Sequence, residues 1–168
     1  MGLCIAGYLA LRPAGRGGPP DFRLPLLGGG TLSSDDLRGS PVVLNFFASW
    51  CPPCREEASR FEAAWRDHRE DGVRIVGVNV NDTEQDAQRF VDEFHLTYPV
   101  VRDENDFLWR ELNVVGLPQT FFINKDWELL SVTRGERVGA RTNAIIPLGA
   151  ISRQALERNI TRLLNDGG

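Results

Sequence analysis

From position 21 onward, hydrophobic and polar residues follow two periodicities that predict alternating strands and helices. Continuous apolar runs rich in β-branched and aromatic residues predict buried strands at "PVVLNFFAS" and "VRIVGVNV". Apolar residues at every third or fourth position, with charges between them, predict helices over 54–69, 83–95 and 152–165. Shorter patterns predict a short helix at "NDFLWREL" and strands at "YPVVRD", "QTFFIN" and "ELLSVTR".

This order of elements predicts an α/β domain with a central mixed sheet flanked by helices. The two main strands should pair in parallel through a crossover helix. Before them, "DFRLPLLGGGTLSS" has two extended runs around a glycine turn and predicts an N-terminal β-hairpin extension. The stretch 134–150 fits no element, and we interpret it as an inserted loop.

The first nineteen residues differ from the rest of the chain. "GLCIAGYLAL" is apolar but too short to span a bilayer, and "RPAGRGGPP" follows it. We interpret 1–19 as a residual signal-anchor with a Pro/Gly linker, and 20–166 as the folded domain. The alternative is a tail that happens to contain a few apolar residues.

Charge and cysteine content narrow the range of functions. The 168 residues carry a net charge of -4, so nothing indicates a nucleic-acid partner. The three cysteines, Cys4, Cys51 and Cys54, are too few for a disulfide-stapled secreted scaffold. One close pair beside one distant cysteine suggests a single reactive pair, and we assign Cys4 no role.

The close pair lies where a buried strand gives way to a helix, in "FFASWCPPCREE". Unpaired N–H groups and the helix dipole at such a position stabilise a thiolate. We expect Cys51 to be exposed and to attack, and Cys54 to face inward and act as the resolving thiol. Pro52 and Pro53 suit the first helical turn, where the missing N–H has no partner.

The sequence gives little support to two other uses of the pair, a zinc site and a structural disulfide. A zinc site needs about four ligands, and neither His68 nor His95 has ligand spacing to the pair. A structural disulfide over a two-residue gap would remove little chain entropy. We therefore expect no metal and no cofactor other than a redox-active Cys51–Cys54 disulfide.

The motif "NFFASWCPPCREE", followed by "VVGLPQTFFIN", resembles the TlpA/ResA/DsbE branch of the thioredoxin superfamily. The resemblance implies a thioredoxin fold and a thiol–disulfide oxidoreductase that reduces client proteins. Such clients include apocytochromes c, and a membrane thiol carrier supplies the electrons. It also implies a membrane-anchored, extracytoplasmic location, with a cytoplasmic one as the alternative. We expect a monomer.

The same resemblance assigns roles to individual residues. It implies a cis peptide bond between Leu117 and Pro118 and places a bound client segment along the Leu117 backbone. It adds Trp50, Pro52 and Pro53 to the client-binding face.

Glu57 stands where this branch has a glutamate, one helical turn after Cys54. The implied role is proton transfer with Cys54, and the alternative is an acid favoured by the helix dipole. Asn45 stands where thioredoxins have a buried aspartate. Glu56 should be a solvated charge.

The sequence departs from the pattern of this branch in three places, and two alternative functions stay open. Phe46-Phe47 replaces the usual Phe-Trp, Gln119 stands where cytochrome-maturation members often have Glu, and 134–150 has no counterpart. A peroxidase of the peroxiredoxin class shares the broad fold, but its cysteine lies in a Pro/Thr-rich loop. A binding module with idle cysteines would keep its partner without the pair.

Overall fold

The computed structural model describes residues 18–133 and 149–166. The strands are β1 Arg23–Pro25, β2 Thr31–Ser33, β3 Val42–Phe47, β4 Arg74–Asn79, β5 Val100–Arg102, β6 Gln119–Ile123 and β7 Leu129–Thr133. The helices are α1 Pro52–His68, α2 Glu84–Glu93, α3 Phe107–Glu111 and α4 Arg153–Asn165, with a 3-10 turn at Ser34–Asp36. These elements confirm the predicted order, although α1 begins two residues earlier than its apolar spacing suggests.

Five strands form the central sheet, in the order β5-β4-β3-β6-β7. β3 pairs in parallel with β4, as expected for two buried strands joined by a helix, and β4 pairs in parallel with β5. β6 pairs antiparallel with β3 and β7 antiparallel with β6, so the sheet is mixed. The predicted N-terminal hairpin is confirmed as β1 paired with β2. The Leu27 N–H that follows β1 donates to the Val100 carbonyl of β5, the edge strand of the central sheet.

The sheet separates two hydrophobic clusters. Alternation along β3 sends Val43 and Phe47 to one face, where they pack with apolar residues of α1, α2 and α4. Val42, Leu44 and Phe46 face the other side, with residues of α3 and the N-terminal segment. Asn45 is the polar exception in β3, and it lies on the face covered by α1.

The described chain enters the fold at the end of the sheet where β3 begins. Val42 pairs with Ile123, so the turn that follows β6 lies at this end. In that turn Trp127 is buried, its indole N–H donates to the Pro19 carbonyl at 2.9 Å, and the Arg38 guanidinium lies over its ring. Residues 18–22 are therefore fixed at the opposite end of β3 from Cys51.

Two sequence predictions fall largely outside the described residues. Positions 1–17 of the predicted anchor and linker are among them, as are 134–148 of the predicted loop. Within the described ranges, no helix combines the length and apolar character that a membrane crossing requires.

Candidate active site

The junction between β3 and α1 places the cysteine pair at a helix N-terminus. Cys51 is the N-cap of α1, with extended backbone angles, and its sulfur accepts a hydrogen bond from the Cys54 N–H at 3.3 Å. Pro52 and Pro53 occupy the first two helical positions, where an N–H would lack an intrahelical partner. The predicted place of the pair at a strand-to-helix junction, with both prolines in the first helical turn, is confirmed.

Cys51 and Cys54 form a disulfide with their Cα atoms 5.3 Å apart. Cys54 faces inward as predicted, but the prediction that Cys51 is exposed is wrong, because only 3% of it is accessible. The N-cap conformation turns its side chain back toward the first helical turn, so its sulfur joins the cluster between the sheet and α1. Trp50, which precedes the pair, is exposed, with 61% of its surface accessible.

A second segment meets the same end of the sheet. Gln119 opens β6 opposite Phe46, which brings Leu117 and Pro118 to the end of β3 from which the motif emerges. The Leu117–Pro118 peptide bond is cis, as predicted. Pro118 is buried, Leu117 is half-buried and Val115 is exposed.

Glu57 lies one helical turn after Cys54 and is buried, with 1% of its surface accessible. Its Oε1 accepts a hydrogen bond from the Asn45 side-chain amide, and its Oε2 accepts one from the Ile151 backbone N–H, both at 2.8 Å. Burial raises the pKa of Glu57 to about 7, although these two hydrogen bonds and the charge of Arg60 oppose the rise. The carboxyl can therefore exchange a proton near neutral pH.

The neighbouring charges support this geometry. Arg60 donates to the Ile151 carbonyl at 2.6 Å, so α1 holds both polar groups of that residue's backbone. Glu56 is exposed and pairs with Arg60, which confirms the prediction of a solvated charge.

Three contributors to the site escaped the sequence analysis. Thr120 accepts a second hydrogen bond from the Asn45 amide, at 3.2 Å; its place two residues after Pro118 was a usable signal. Ile151 acts through its backbone and lies 94 positions from Glu57, so no side-chain pattern could reveal it. Asp82 accepts from the N–H and hydroxyl of Ser49, both at 2.7 Å, and thereby fixes the residue before Trp50.

The described residues contain no group of three or more metal-binding side chains. The chemistry that this site does offer is exchange at a disulfide, beside a carboxyl that titrates near neutral pH.

Comparisons with known proteins agree with this chemistry. Residues 18–131 match the model of the AhpC/TSA family. Thiol-disulfide oxidoreductase ResA of Oceanobacillus iheyensis is 34% identical over 137 residues, which cover 76% of this chain and 71% of that protein. ResA of Geobacillus kaustophilus is 36% identical over 116 residues, 69% of this chain and 67% of that one. A Chlorobium tepidum crystal structure, described as thiol:disulfide interchange protein DsbE, superposes with a TM-score of 0.73 at 26% identity, covering 88% of this chain and 96% of that one.

Proposed function

The chain belongs to the AhpC/TSA family and is a thiol–disulfide oxidoreductase of the ResA type, and we propose that it reduces disulfide bonds in client proteins. Its thioredoxin fold and its resemblance to the TlpA/ResA/DsbE branch support this proposal. The single observation that carries the proposal is the Cys51–Cys54 disulfide at the N-terminus of α1, beside the cis Pro118.

The reaction begins with the reduced pair. The Cys51 thiolate attacks one sulfur of a client disulfide, forms a mixed disulfide and releases the other client sulfur as a thiolate. Cys54 then attacks the Cys51 sulfur, which breaks the mixed disulfide and frees the second client thiolate. The client gains two electrons and ends as two thiolates, which take protons from the solvent, and the pair ends as the disulfide seen in the structure.

The helix N-terminus favours the first step. An N-cap sulfur lies at the positive end of the helix dipole and accepts the Cys54 N–H, and both interactions stabilise negative charge on Cys51. Glu57 serves the second step by taking the proton of Cys54. Its position one turn along α1, its burial and its raised pKa support this role.

The client-binding face consists of Trp50, Pro52, Pro53, Leu117 and Pro118. An extended client segment would lie along the Leu117 backbone, and the exposed indole of Trp50 would offer it an apolar surface next to the cysteine motif. Disulfide-bearing proteins are the general class of client.

Finer assignments rest on the family resemblance. We infer apocytochrome c among the clients and a membrane thiol carrier as electron donor. We also infer a monomer outside the cytoplasm, anchored through the segment 1–19.

Redox titration of the pair tests the direction of the reaction. Equilibration in glutathione or dithiothreitol buffers, followed by alkylation with a mass tag, should give a potential near or below about −230 mV. A potential near about −120 mV would make the protein a disulfide donor and overturn the proposal. Absence of a reversible couple would favour the binding module.

Trapping tests the route. A Cys54→Ser variant should accumulate a mixed disulfide between Cys51 and an oxidised client peptide, whereas the matched Cys51→Ser variant should form none. Rapid peroxide consumption by the wild type without any client would favour a peroxidase instead.

A further inference from the structure

The hydrogen-bond partners of Glu57 fit only one of its two protonation states. In the structure each carboxylate oxygen accepts from one N–H group, the Asn45 amide at Oε1 and the Ile151 backbone at Oε2. An ionised carboxylate only accepts hydrogen bonds, so both contacts are favourable. A protonated carboxyl must also donate one, and an O–H that faces an N–H has no acceptor.

The two partners differ in their ability to adapt. The Ile151 N–H belongs to the backbone and can only donate. The Asn45 side chain carries a donor and an acceptor on one planar group, and a half-turn of that plane exchanges them. Of the two groups that bind the carboxylate, Asn45 alone can therefore accept the proton of a neutral Glu57.

Thr120 makes this reversal compatible with burial. Its hydroxyl accepts from the Asn45 amide nitrogen at 3.2 Å, and both side chains are buried. A hydroxyl can also donate, so it can serve the amide oxygen once the amide has turned. The Thr120 hydroxyl therefore has a hydrogen bond to make with the Asn45 amide in each state of Glu57, accepting from its nitrogen in one and donating to its oxygen in the other.

We propose that Asn45, supported by Thr120, is a positioning residue that reverses its side-chain amide whenever Glu57 gains or loses a proton. This proposal rests on the proposed proton transfer between Cys54 and Glu57. In that step the Cys54 S–H bond breaks, the proton forms an O–H bond at Oε1, and the sulfur keeps the electron pair. The Asn45 contact then changes from N–H donating to Oε1 into O–H donating to the Asn45 Oδ1, while Ile151 still donates to Oε2.

The other titratable groups near Glu57 do not take over the role proposed for Asn45. Arg60 and Glu56 lie on the same helix, and their charges have opposite effects on the carboxyl. Tyr98, which precedes β5, is fully buried; burial raises its pKa, and the charge of Glu57 adds to the rise. On β3 and β6, the groups that meet Oε1 or support its partner are the neutral side chains of Asn45 and Thr120.

Nuclear magnetic resonance of the oxidised full-length chain tests the reversal without any turnover. The Glu57 carboxyl carbon and the Asn45 side-chain NH₂ should titrate with the same midpoint, near pH 7. The nuclear Overhauser contacts of the Asn45 NH₂ protons should differ between the two limits, while the Ile151 N–H shift stays nearly constant. An unchanged Asn45 amide, a lost Ile151 hydrogen bond, or no Glu57 titration between about pH 5 and 9 would overturn the proposal.

Matched variants provide a second readout. Thr120→Val leaves one N–H of the amide unpaired in the ionised state, a greater cost than an unpaired carbonyl lone pair, so the Glu57 midpoint should rise. Thr120→Ser keeps the hydroxyl and should keep the wild-type midpoint. Equal midpoints in both variants would contradict the role of Thr120.

Failure of the proposed function would look different. If Glu57→Gln leaves the pH profile of the resolving step unchanged while Asn45 still follows the Glu57 titration in the wild type, proton transfer to Cys54 fails and the amide reversal stands. If Glu57→Gln flattens that profile but the Asn45 amide of the wild type does not follow the Glu57 titration, proton transfer with Cys54 stands and the amide reversal fails.

Discussion

Helix α1 carries two buried glutamates, and their surroundings differ. Glu57, one turn after Cys54, accepts hydrogen bonds from two neutral donors of the described residues, the Asn45 amide and the Ile151 N–H. Glu62, further along the helix, accepts from the Arg66 guanidinium at 2.6 Å and from the N–H and hydroxyl of Thr97 at 2.7 and 2.8 Å.

The difference shows how one residue type serves two purposes on one helix. The Arg66 guanidinium compensates the charge of Glu62, and the two Thr97 donors fix the loop after α2 to the middle of α1. Within residues 18–133 and 149–166, Glu57 has no such ion pair at hydrogen-bonding distance, and burial therefore raises its pKa. Of these two glutamates, the one with the raised pKa is the one that no cation of the described residues contacts at hydrogen-bonding distance.

The largest expected effect concerns Glu57 and pH. Its pKa is raised from 4.5 to about 7, so the folded protein holds a proton there that the unfolded chain releases. The associated stability is fully present below pH 4.5 and is lost as the pH rises to about 7. At about 1.4 kcal/mol per pKa unit, the loss is about 3 kcal/mol. Urea unfolding of the oxidised protein at several pH values should show this loss in the wild type and not in Glu57→Gln.

A second group acts in a neighbouring pH range. Burial lowers the pKa of His68, but hydrogen bonds to Glu157 and Asp71 outweigh that effect and raise it overall. The stability it contributes is present below its unfolded pKa of 6.5 and is lost as the pH rises through the folded pKa. His68 is present in both proteins, so the difference between wild type and Glu57→Gln isolates Glu57. If the unfolding free energies of the wild type and Glu57→Gln change with pH in the same way, burial does not raise the pKa of Glu57 to about 7.

A smaller effect is expected at Glu62. Glu62→Ala removes the acceptor of two Thr97 hydrogen bonds and leaves the Thr97 N–H without that partner, so we expect a loss of about 2 kcal/mol in the free energy of unfolding. The resolving step should keep its wild-type pH midpoint, because Glu57 and its partners are untouched. Urea unfolding measures the loss of stability, and a pH–rate profile of the resolving step measures its midpoint. A shifted midpoint would show that Glu62 influences the titration of Glu57.

The smallest effect is expected at Arg66. More than half of its side chain is exposed, so its ion pair with Glu62 is well solvated on one side. Arg66→Met keeps much of the aliphatic stem and should cost less than about 1 kcal/mol in unfolding free energy. Repeating the measurement at high salt provides the control, since the cost should shrink as the ion pair is screened.

Sequence patterns predicted the features that local rules determine. The buried strands, the helices over 83–95 and 152–165 and the prolines at the start of α1 follow from side-chain periodicity and helix-end chemistry. The cysteine pair and the cis Leu117–Pro118 bond followed from motif and resemblance.

Features that depend on distant segments were not predicted. The charges of α1 predicted its solvated face, but nothing marked Glu62 as buried, because its Thr97 partner lies 35 positions away. The exposure assigned to Cys51 failed for a related reason. A turn position is exposed by default, and only the N-cap geometry shows the sulfur directed back onto the helix.

The contact between Pro19 and Trp127 determines how the domain can be attached to a surface. β3 runs about 17 Å from the end of the sheet held by that contact to the end that leads to Cys51. A bead or an electrode attached at position 18 would hold the domain at the end of the sheet that carries the Pro19–Trp127 contact, away from the disulfide. The end of the domain that carries the exposed Trp50 would then face the solution, so immobilisation through the N-terminus should leave that end accessible to dissolved disulfides.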